Sequence, residues 1–231
     1  MKQLLPNLYH LDLGIANAYL LRGQSTLSLV DTGGHGSLPK IEKNLAELGF
    51  TLRDLTHILL THGHWDHTGD LALLQKESQA IVIAHKLEAP FIRAGKDVRP
   101  DPKRVPFIHR RFGKMFDGQP KPGPVHREVE DGELLEDIYP SLRVVHLPGH
   151  SSGQVGYYHE REGWLIGGDV MMHVLPQLTL PLALFTLEPT VAKQSVLKVA
   201  ALNPVTLALG HGTPVVGKAQ NPIARIAKRF R

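Results

Sequence analysis

The chain contains no cysteine. That excludes thiolate metal ligands, a disulfide framework and a cysteine nucleophile, and it leaves the redox compartment untested. Aromatic residues make up only 6% of the chain, and none interleave with basic residues as they do in a single-stranded nucleic-acid groove. A nucleic-acid partner is therefore not the expectation. No apolar run approaches the roughly 20 residues needed to cross a bilayer, so no membrane partner is expected either. Lys2 is followed by Pro6 and Asn7, which interrupt any apolar leader, and the cytoplasm is the expected compartment. The formal net charge of +4 is too small to point to one class of partner.

Histidine, in contrast, is plentiful. With 14 in the chain, pairs arise by accident and only a pattern carries weight. The pattern is the run Thr61-His62-Gly63-His64-Trp65-Asp66-His67-Thr68-Gly69, which follows the apolar stretch Ile58-Leu59-Leu60. Burying those polar groups unpaired would cost several kcal/mol each. Around a metal ion they satisfy one another. Side chains two apart on extended backbone point the same way, so His62 and His64 can grip one ion. Asp66 and His67 lie one turn further on and face a neighbouring position. Imidazole and carboxylate without thiolate suit zinc, iron, manganese or nickel.

A two-metal site needs more ligands than this run holds. Three other apolar stretches break at glycine beside a ligand-type residue: Val144-Val145-His146-Leu147-Pro148-Gly149-His150, Trp164-Leu165-Ile166-Gly167-Gly168-Asp169 and Thr206-Leu207-Ala208-Leu209-Gly210-His211. Loops held at strand ends are where a rigid scaffold carries its functional side chains. Taken singly, each reads as a turn. Together with residues 61–69 they form a candidate metal set.

These motifs resemble those of the metallo-β-lactamase superfamily. His62, His64, Asp66 and His67 match its signature loop, His150 its Pro-Gly-His ligand, Asp169 its Gly-Asp ligand and His211 its late Gly-His ligand. Val30-Asp31-Thr32-Gly33 matches the first motif, whose Asp supports the metal loop from behind. The resemblance implies one metal on His62, His64 and His150, a second on Asp66, His67 and His211, and Asp169 bridging the two. It implies two divalent ions, zinc first, with iron or manganese as alternatives. Without cysteine, the chain falls outside the β-lactamase branch that uses a cysteine ligand.

The implied activity is hydrolysis of an ester, thioester or lactone bond in a small-molecule substrate by hydroxide held on a dinuclear centre. Asp66 is the expected catalytic carboxylate, ionised beside the cations. Ser151 and Ser152 lack the strand-to-helix context of a nucleophile elbow. In the acyl-homoserine lactonases a Tyr stands three residues after the bridging Asp. Met172 stands there in this chain, and the adjacent His173 is a candidate substrate contact. Three alternatives remain: a phosphodiesterase or nuclease of the same superfamily, a persulfide dioxygenase with one iron on His62, His150 and Asp169, and a metal-binding module without catalysis.

The resemblance implies an α/β fold class, a four-layer αββα sandwich with two mixed β-sheets flanked by helices, and residues 1–231 are expected to form one domain. Strands are expected at Ala18–Leu21, Leu27–Asp31, Leu55–Thr61, Gln79–Ala84, Leu142–Leu147, Val155–His159, Trp164–Ile166 and Thr206–Leu209. Helices are expected at Leu38–Leu48, Asp70–Lys76, Pro189–Leu202 and Asn221–Arg231, the last capped by Asn221. A Pro-rich, basic insertion at about residues 86–128 is a candidate lid, with Arg110 and Arg111 as possible contacts to an anionic part of the substrate. The stretch Val174–Phe185, too Pro-broken for one element, is expected to wall the substrate pocket, to form a homodimer contact or to pack as a core connection.

Overall fold

The structure, a computed structural model, describes residues 1–97, 100, 118–174 and 176–230. Strands β1 (Lys2–Leu5), β2 (Leu8–Asp12), β3 (Asn17–Arg22), β4 (Leu27–Val30), β5 (His57–Leu59), β6 (Ile81–His85) and β7 (Arg127–Val129) lie in that order across one seven-stranded sheet. Its first four strands form an antiparallel meander, and β4 to β7 run parallel. The rest are β8 (Leu142–His146), β9 (Val155–His159), β10 (Trp164–Ile166), the two-stranded ribbon β11 (Met172–Val174) and β12 (Gln177–Thr179), and β13 (Thr206–Ala208). A second sheet has the order β13-β10-β9-β8, with β10 and β13 parallel and the other pairs antiparallel. Both sheets are mixed, as expected.

The α-helices among the described residues are α1 (Leu38–Glu47), α2 (Trp65–Thr68), α3 (Leu71–Ser78), α4 (Ala89–Ala94), α5 (Pro189–Leu202) and α6 (Gln220–Ala227). The period-2 alternation of each strand sorts its side chains between two cores. In β3, Ala18 and Leu20 join Ile41 and Leu45 of α1, Leu74 of α3 and Ile92 of α4, while Tyr19 and Leu21 point to the other face. There they meet Val144, Tyr157 and Trp164 of the second sheet. Val145, Tyr158 and Leu165, one position out of phase, pack under Val196 and Val199 of α5 and Ile223 and Ile226 of α6. Three buried interfaces between four layers give the αββα sandwich.

Some boundaries differ from expectation for local reasons. Gln79 takes a left-handed backbone (φ 63°) as the cap of α3, so β6 starts two residues later. The last helix begins at Gln220 after Ala219, with no side-chain cap from Asn221. Pro222 is tolerated because it falls in the first turn, where the missing N–H has no helical acceptor; the first bond runs from Ile223 N–H to the Ala219 carbonyl at 3.0 Å. The meander β1–β2, β7 and α4 were not anticipated.

Hydrogen bonds fasten the two sheets along one edge. Val155 N–H donates to the Thr61 carbonyl at 2.9 Å, and the Tyr157 hydroxyl donates to the Leu60 carbonyl at 2.8 Å. On the other side the Tyr19 hydroxyl and the Asn17 side chain donate to the Leu209 carbonyl at 2.6 and 2.9 Å. Both loops that follow these carbonyls carry histidines.

Candidate metal centre

Asp31 directly follows β4, beside the parallel strand β5. Its backbone is left-handed (φ 62°), a conformation that Asp tolerates better than most side chains. This turns its carboxylate toward the neighbouring loop. Asp31 Oδ1 accepts the Thr61 N–H at 2.8 Å; Oδ2 accepts the Thr61 hydroxyl at 2.7 Å and His67 Nδ1–H at 2.8 Å. With Nδ1 thus committed, His67 Nε2 is left to face the site. His62 Nδ1 stands 3.0 Å from the Thr61 hydroxyl, which likewise leaves its Nε2 free.

His64 has extended backbone (φ −67°, ψ 150°) before the single turn of α2, and its Nδ1 lies 3.1 Å from His62 Nε2. Two imidazole lone pairs facing at that distance repel unless a proton or a cation lies between them. The other ring nitrogen of His64 is 3.3 Å from Asp97 Oδ1. The remaining groups arrive from the second sheet. Strands β8, β10 and β13 run in one direction, so His150, Asp169 and His211 emerge at one end. His211 Nδ1 donates to the Ile15 carbonyl at 2.9 Å, and its Nε2 is 3.2 Å from Asp66 Oδ2 and 3.1 Å from Asp169 Oδ2.

The seven side chains expected to hold metal fall into three overlapping groups, His62/His64/His150, His62/His67/Asp169 and Asp66/His67/His211, with ligand atoms within 4.8 Å of one another in each. His67 Nε2, both ring nitrogens of His150 and Asp169 Oδ1 are buried with no hydrogen-bond partner among the described residues. Each such orphan costs about 1–3 kcal/mol when left unsatisfied. Divalent cations that accept nitrogen and oxygen donors would satisfy them, so the residues present fit the implied group.

Electrostatics divide the cluster. Burial, and then the neighbouring His67 and His64, keep the His62 imidazole neutral, well below its ordinary range. Burial and His64 push His150 down to about 3. Burial opposes protonation of His67 and His211 too, but the adjacent carboxylates prevail and hold them up at about 9 and about 11. Burial likewise disfavours the Asp66 anion, yet His67 and the hydrogen bond to His211 bring its carboxyl down to about 2. Asp66 is therefore an anion at neutral pH.

One residue of the site was not anticipated. Glu88, only 4% exposed, accepts the Gly63 N–H on Oε2 at 2.8 Å. Its Oε1 accepts the Ser151 hydroxyl at 2.8 Å and the Gly153 N–H at 2.7 Å. Gly63 lies between His62 and His64, and Ser151 follows His150. A single carboxylate thus ties together the two loops that carry the first histidine group.

A cavity of about 190 Å³ opens over the cluster. Its polar side is formed by His64, Asp66, Asp97, His150, Asp169 and His211, and its apolar side by Ile15, Trp65, Met172, Pro181, Leu182 and Phe185. The stretch 174–185 thus supplies part of the wall. His173 is not among the lining residues; its Nδ1 donates to the Thr213 carbonyl at 2.6 Å, next to the His211 loop. Arg110 and Arg111 lie outside the described residues, as do residues 98–99 and 101–117 of the expected lid. Among the described residues no helix is long and apolar enough to cross a membrane.

Two facing sheets that deliver histidines and aspartates to one common edge define a class, the metal-dependent hydrolases of αββα architecture. The chain belongs to the metallo-beta-lactamase superfamily, whose family model matches residues 11–211. It is 28% identical over 243 aligned positions to the probable metallo-hydrolase YflN of Bacillus subtilis (strain 168), covering 95% of this chain and 89% of that one. The crystal structure of the metallo-beta-lactamase family protein TTHA1429 from Thermus thermophilus superposes with a TM-score of 0.73 at 29% identity, over 98% of this chain and 80% of that one. The atrochrysone carboxyl ACP thioesterase dmxR1 of Cryptosporiopsis sp. (strain 8999) is 26% identical over 159 positions, covering 66% of this chain and 37% of that one. The protein is a hydrolase of this superfamily.

Proposed function

We propose that the protein hydrolyses an ester, thioester or lactone of a small molecule with a dinuclear centre, zinc being the first choice of metal. The observation that carries this is the position of Asp169. Its Oδ1 is 3.5 Å from His67 Nε2, while its Oδ2 is 3.5 Å from His150 Nε2 and 3.1 Å from His211 Nε2. One carboxylate lies between the histidines of both outer groups. His62, His64 and His150 would hold one ion, Asp66, His67 and His211 the other, with Asp169 shared. Two bound cations supply a water of lowered pKa and a Lewis acid for the scissile carbonyl.

The chain's own residues do the rest. Asp31 and Thr61 orient His67 and His62 so that each presents Nε2. Asp66, an anion, would accept a hydrogen bond from the attacking water, orient it, and later help protonate the leaving group. The apolar wall excludes competing water and strengthens every charge interaction inside. The apolar residues among the described lining suit an acyl substrate. The thioesterase relative points in the same direction.

The test pairs metal analysis with a substrate panel. Protein loaded with zinc, manganese or iron should bind two ions per chain and cleave p-nitrophenyl esters, acyl thioesters or lactones. Turnover of bis-p-nitrophenyl phosphate with no activity on any acyl substrate would overturn the reading. One ion per chain at saturation would overturn the dinuclear assignment.

A further inference from the structure

We infer that the substrate carries an uncharged, apolar acyl group, which lies against the wall formed by Ile15, Trp65, Met172, Leu182 and Phe185. This rests on the acyl-hydrolase reading above and goes beyond it by naming the substrate class. Three observations support it.

The first is the placement of exposed apolar surface. Ile15 is 50% exposed and Leu182 is 58% exposed, and both line the mouth of the cavity over the metal cluster. Val174, also 58% exposed, ends the strand that begins with the lining residue Met172. Scattered single apolar residues on a surface need no explanation, but a set that converges on a reactive centre marks a binding face. These residues come from the β2–β3 loop, the strand β11 and the segment after β12, so no one element's packing accounts for them.

The second is rigidity. Trp65 begins α2, between His64 and Asp66, and its indole is wedged in place. A Cβ on Gly118 would collide with the ring, and a Cβ on Gly34 would stand 2.9 Å from its Cζ3. The His35 ring stands 6.2 Å away, centroid to centroid. Ile15 is held just as firmly, since its carbonyl accepts the His211 Nδ1–H at 2.9 Å. The apolar wall and the ligand cluster are therefore one connected unit, and an acyl chain seated on the wall is positioned relative to Asp169 and His211.

The third is charge. The cavity's described lining contains Asp66, Asp97 and Asp169 and no Lys or Arg. Lys96 lines an adjoining small cleft and not the cavity. Among the described lining residues none offers a cation to a carboxylate or phosphate at the far end of the acyl group, whereas the apolar side chains there offer a methyl terminus surface to bury.

The experiment uses the full-length protein loaded with zinc and p-nitrophenyl esters that share one leaving group. Acyl chains run from acetyl to decanoyl, alongside an ω-carboxylated chain matched in length. The expected result is a kcat/KM that rises about fourfold per added CH2 until the cavity is filled, with the ω-carboxylated ester at least tenfold worse than its neutral match. Leu182→Asp should lower the octanoyl-to-acetyl ratio by about tenfold. Leu73→Asp, at an exposed apolar position on α3 remote from the cavity lining, should leave that ratio as it is. A flat chain-length profile or a preference for the ω-carboxylated ester overturns the inference and leaves the hydrolase reading intact. If no ester is cleaved, binding decides the inference. Octanoate should change the fluorescence of Trp65, the other tryptophan, Trp164, being buried between the sheets. Suberate, the diacid of the same chain length, should bind at least tenfold more weakly. Equal binding of the two acids overturns the inference.

Discussion

Glu88 and Gly63 are 25 residues apart, yet the Gly63 N–H donates to Glu88 Oε2 at 2.8 Å in a fully buried contact. The same carboxylate reaches Ser151 and Gly153 with its other oxygen. Every partner is a donor, so the site requires an acceptor at both oxygens. Glu88→Gln keeps the size but turns an NH2 group toward one of those donors, at a cost of about 1–3 kcal/mol. The expected outcome is a 10- to 100-fold loss of metal affinity, measured by competition with a chromophoric chelator. Glu88→Asp, which retains two acceptors, should recover part of it. Unchanged affinity in Glu88→Gln would show that the two loops hold their geometry without this tie.

The contrast between Glu88 and His62 shows what a sequence can reveal. His62, His64, Asp66 and His67 stand within six positions, so their convergence is local and the spacing announces it. His150, Asp169 and His211 were legible because each follows an apolar strand broken at glycine, and strands of common direction end at a common edge. Several strands could be read from their apolar pattern, and alternate residues of β3 and β8–β10 do serve opposite cores; their arrangement in two mixed sheets came from the family resemblance. Glu88 acts through backbone N–H groups of two distant loops, and backbone donors leave no mark in a sequence. The strand β7 is three residues long with one buried side chain, too short to show a period. Leu8–Asp12 carries buried Leu8, Tyr9 and Leu11 around a half-buried His10, which obscured its alternation. His173 is a candidate because it follows position 172, where the lactonases carry Tyr; Met172 lines the cavity, and His173 is not among its lining residues.

Removing the metal should destabilise the fold. The cluster contains buried orphan nitrogens and, without cations, imidazoles held protonated beside carboxylates. An ion that binds the native state alone adds about 2.7 kcal/mol when its concentration is 100 times its Kd. For a chain of this length that corresponds to roughly 5–11 °C in Tm. Differential scanning calorimetry with and without a chelator should show a drop of that order, restored by adding zinc. The same Tm in both conditions would contradict a structural contribution from bound ions.

Stability should also fall in acid, in part through a histidine away from the centre. His85 is buried, with its ring stacked on His146 at 4.4 Å between centroids and 14° between planes. Burial, then the neighbouring His146 and Lys86, push it down to about 4, from an ordinary value of 6.5. The unfolded chain takes up a proton near 6.5 while the folded protein refuses it, so the unfolded state binds more protons between those values. The contribution is complete above pH 6.5 and is lost as pH falls through the window from 6.5 to about 4. Urea unfolding at a series of pH values should show stability declining across that window. His85→Gln should flatten the decline, without abolishing it, because His62 and His150 are depressed in the same sense. An identical slope in the variant would remove His85 from the account.

Gly210 separates two effects that most substitutions at a metal site confound, loss of a ligand and loss of position. It contributes no ligand atom. A Cβ at this position would press directly on Asp169 Oδ1 and stand 2.7 Å from His67 Cε1. The strand behind it cannot yield easily, since the Gly210 carbonyl accepts the Asn17 N–H at 2.7 Å and its own N–H donates to the Gly168 carbonyl at 2.8 Å. Gly210→Ala therefore keeps all seven candidate ligands while displacing the carboxylate that lies between the two histidine groups. Overpacking of this kind costs about 1–3 kcal/mol, too little to unfold a domain of ordinary stability. A displacement of about 1 Å at a reacting centre costs about 100-fold in rate. The variant should keep a wild-type circular dichroism spectrum, bind its second equivalent of metal more weakly and lose about two orders of magnitude in kcat. Full activity with two ions bound would mean that the carboxylate tolerates displacement, and the shared role proposed for Asp169 would fail with it.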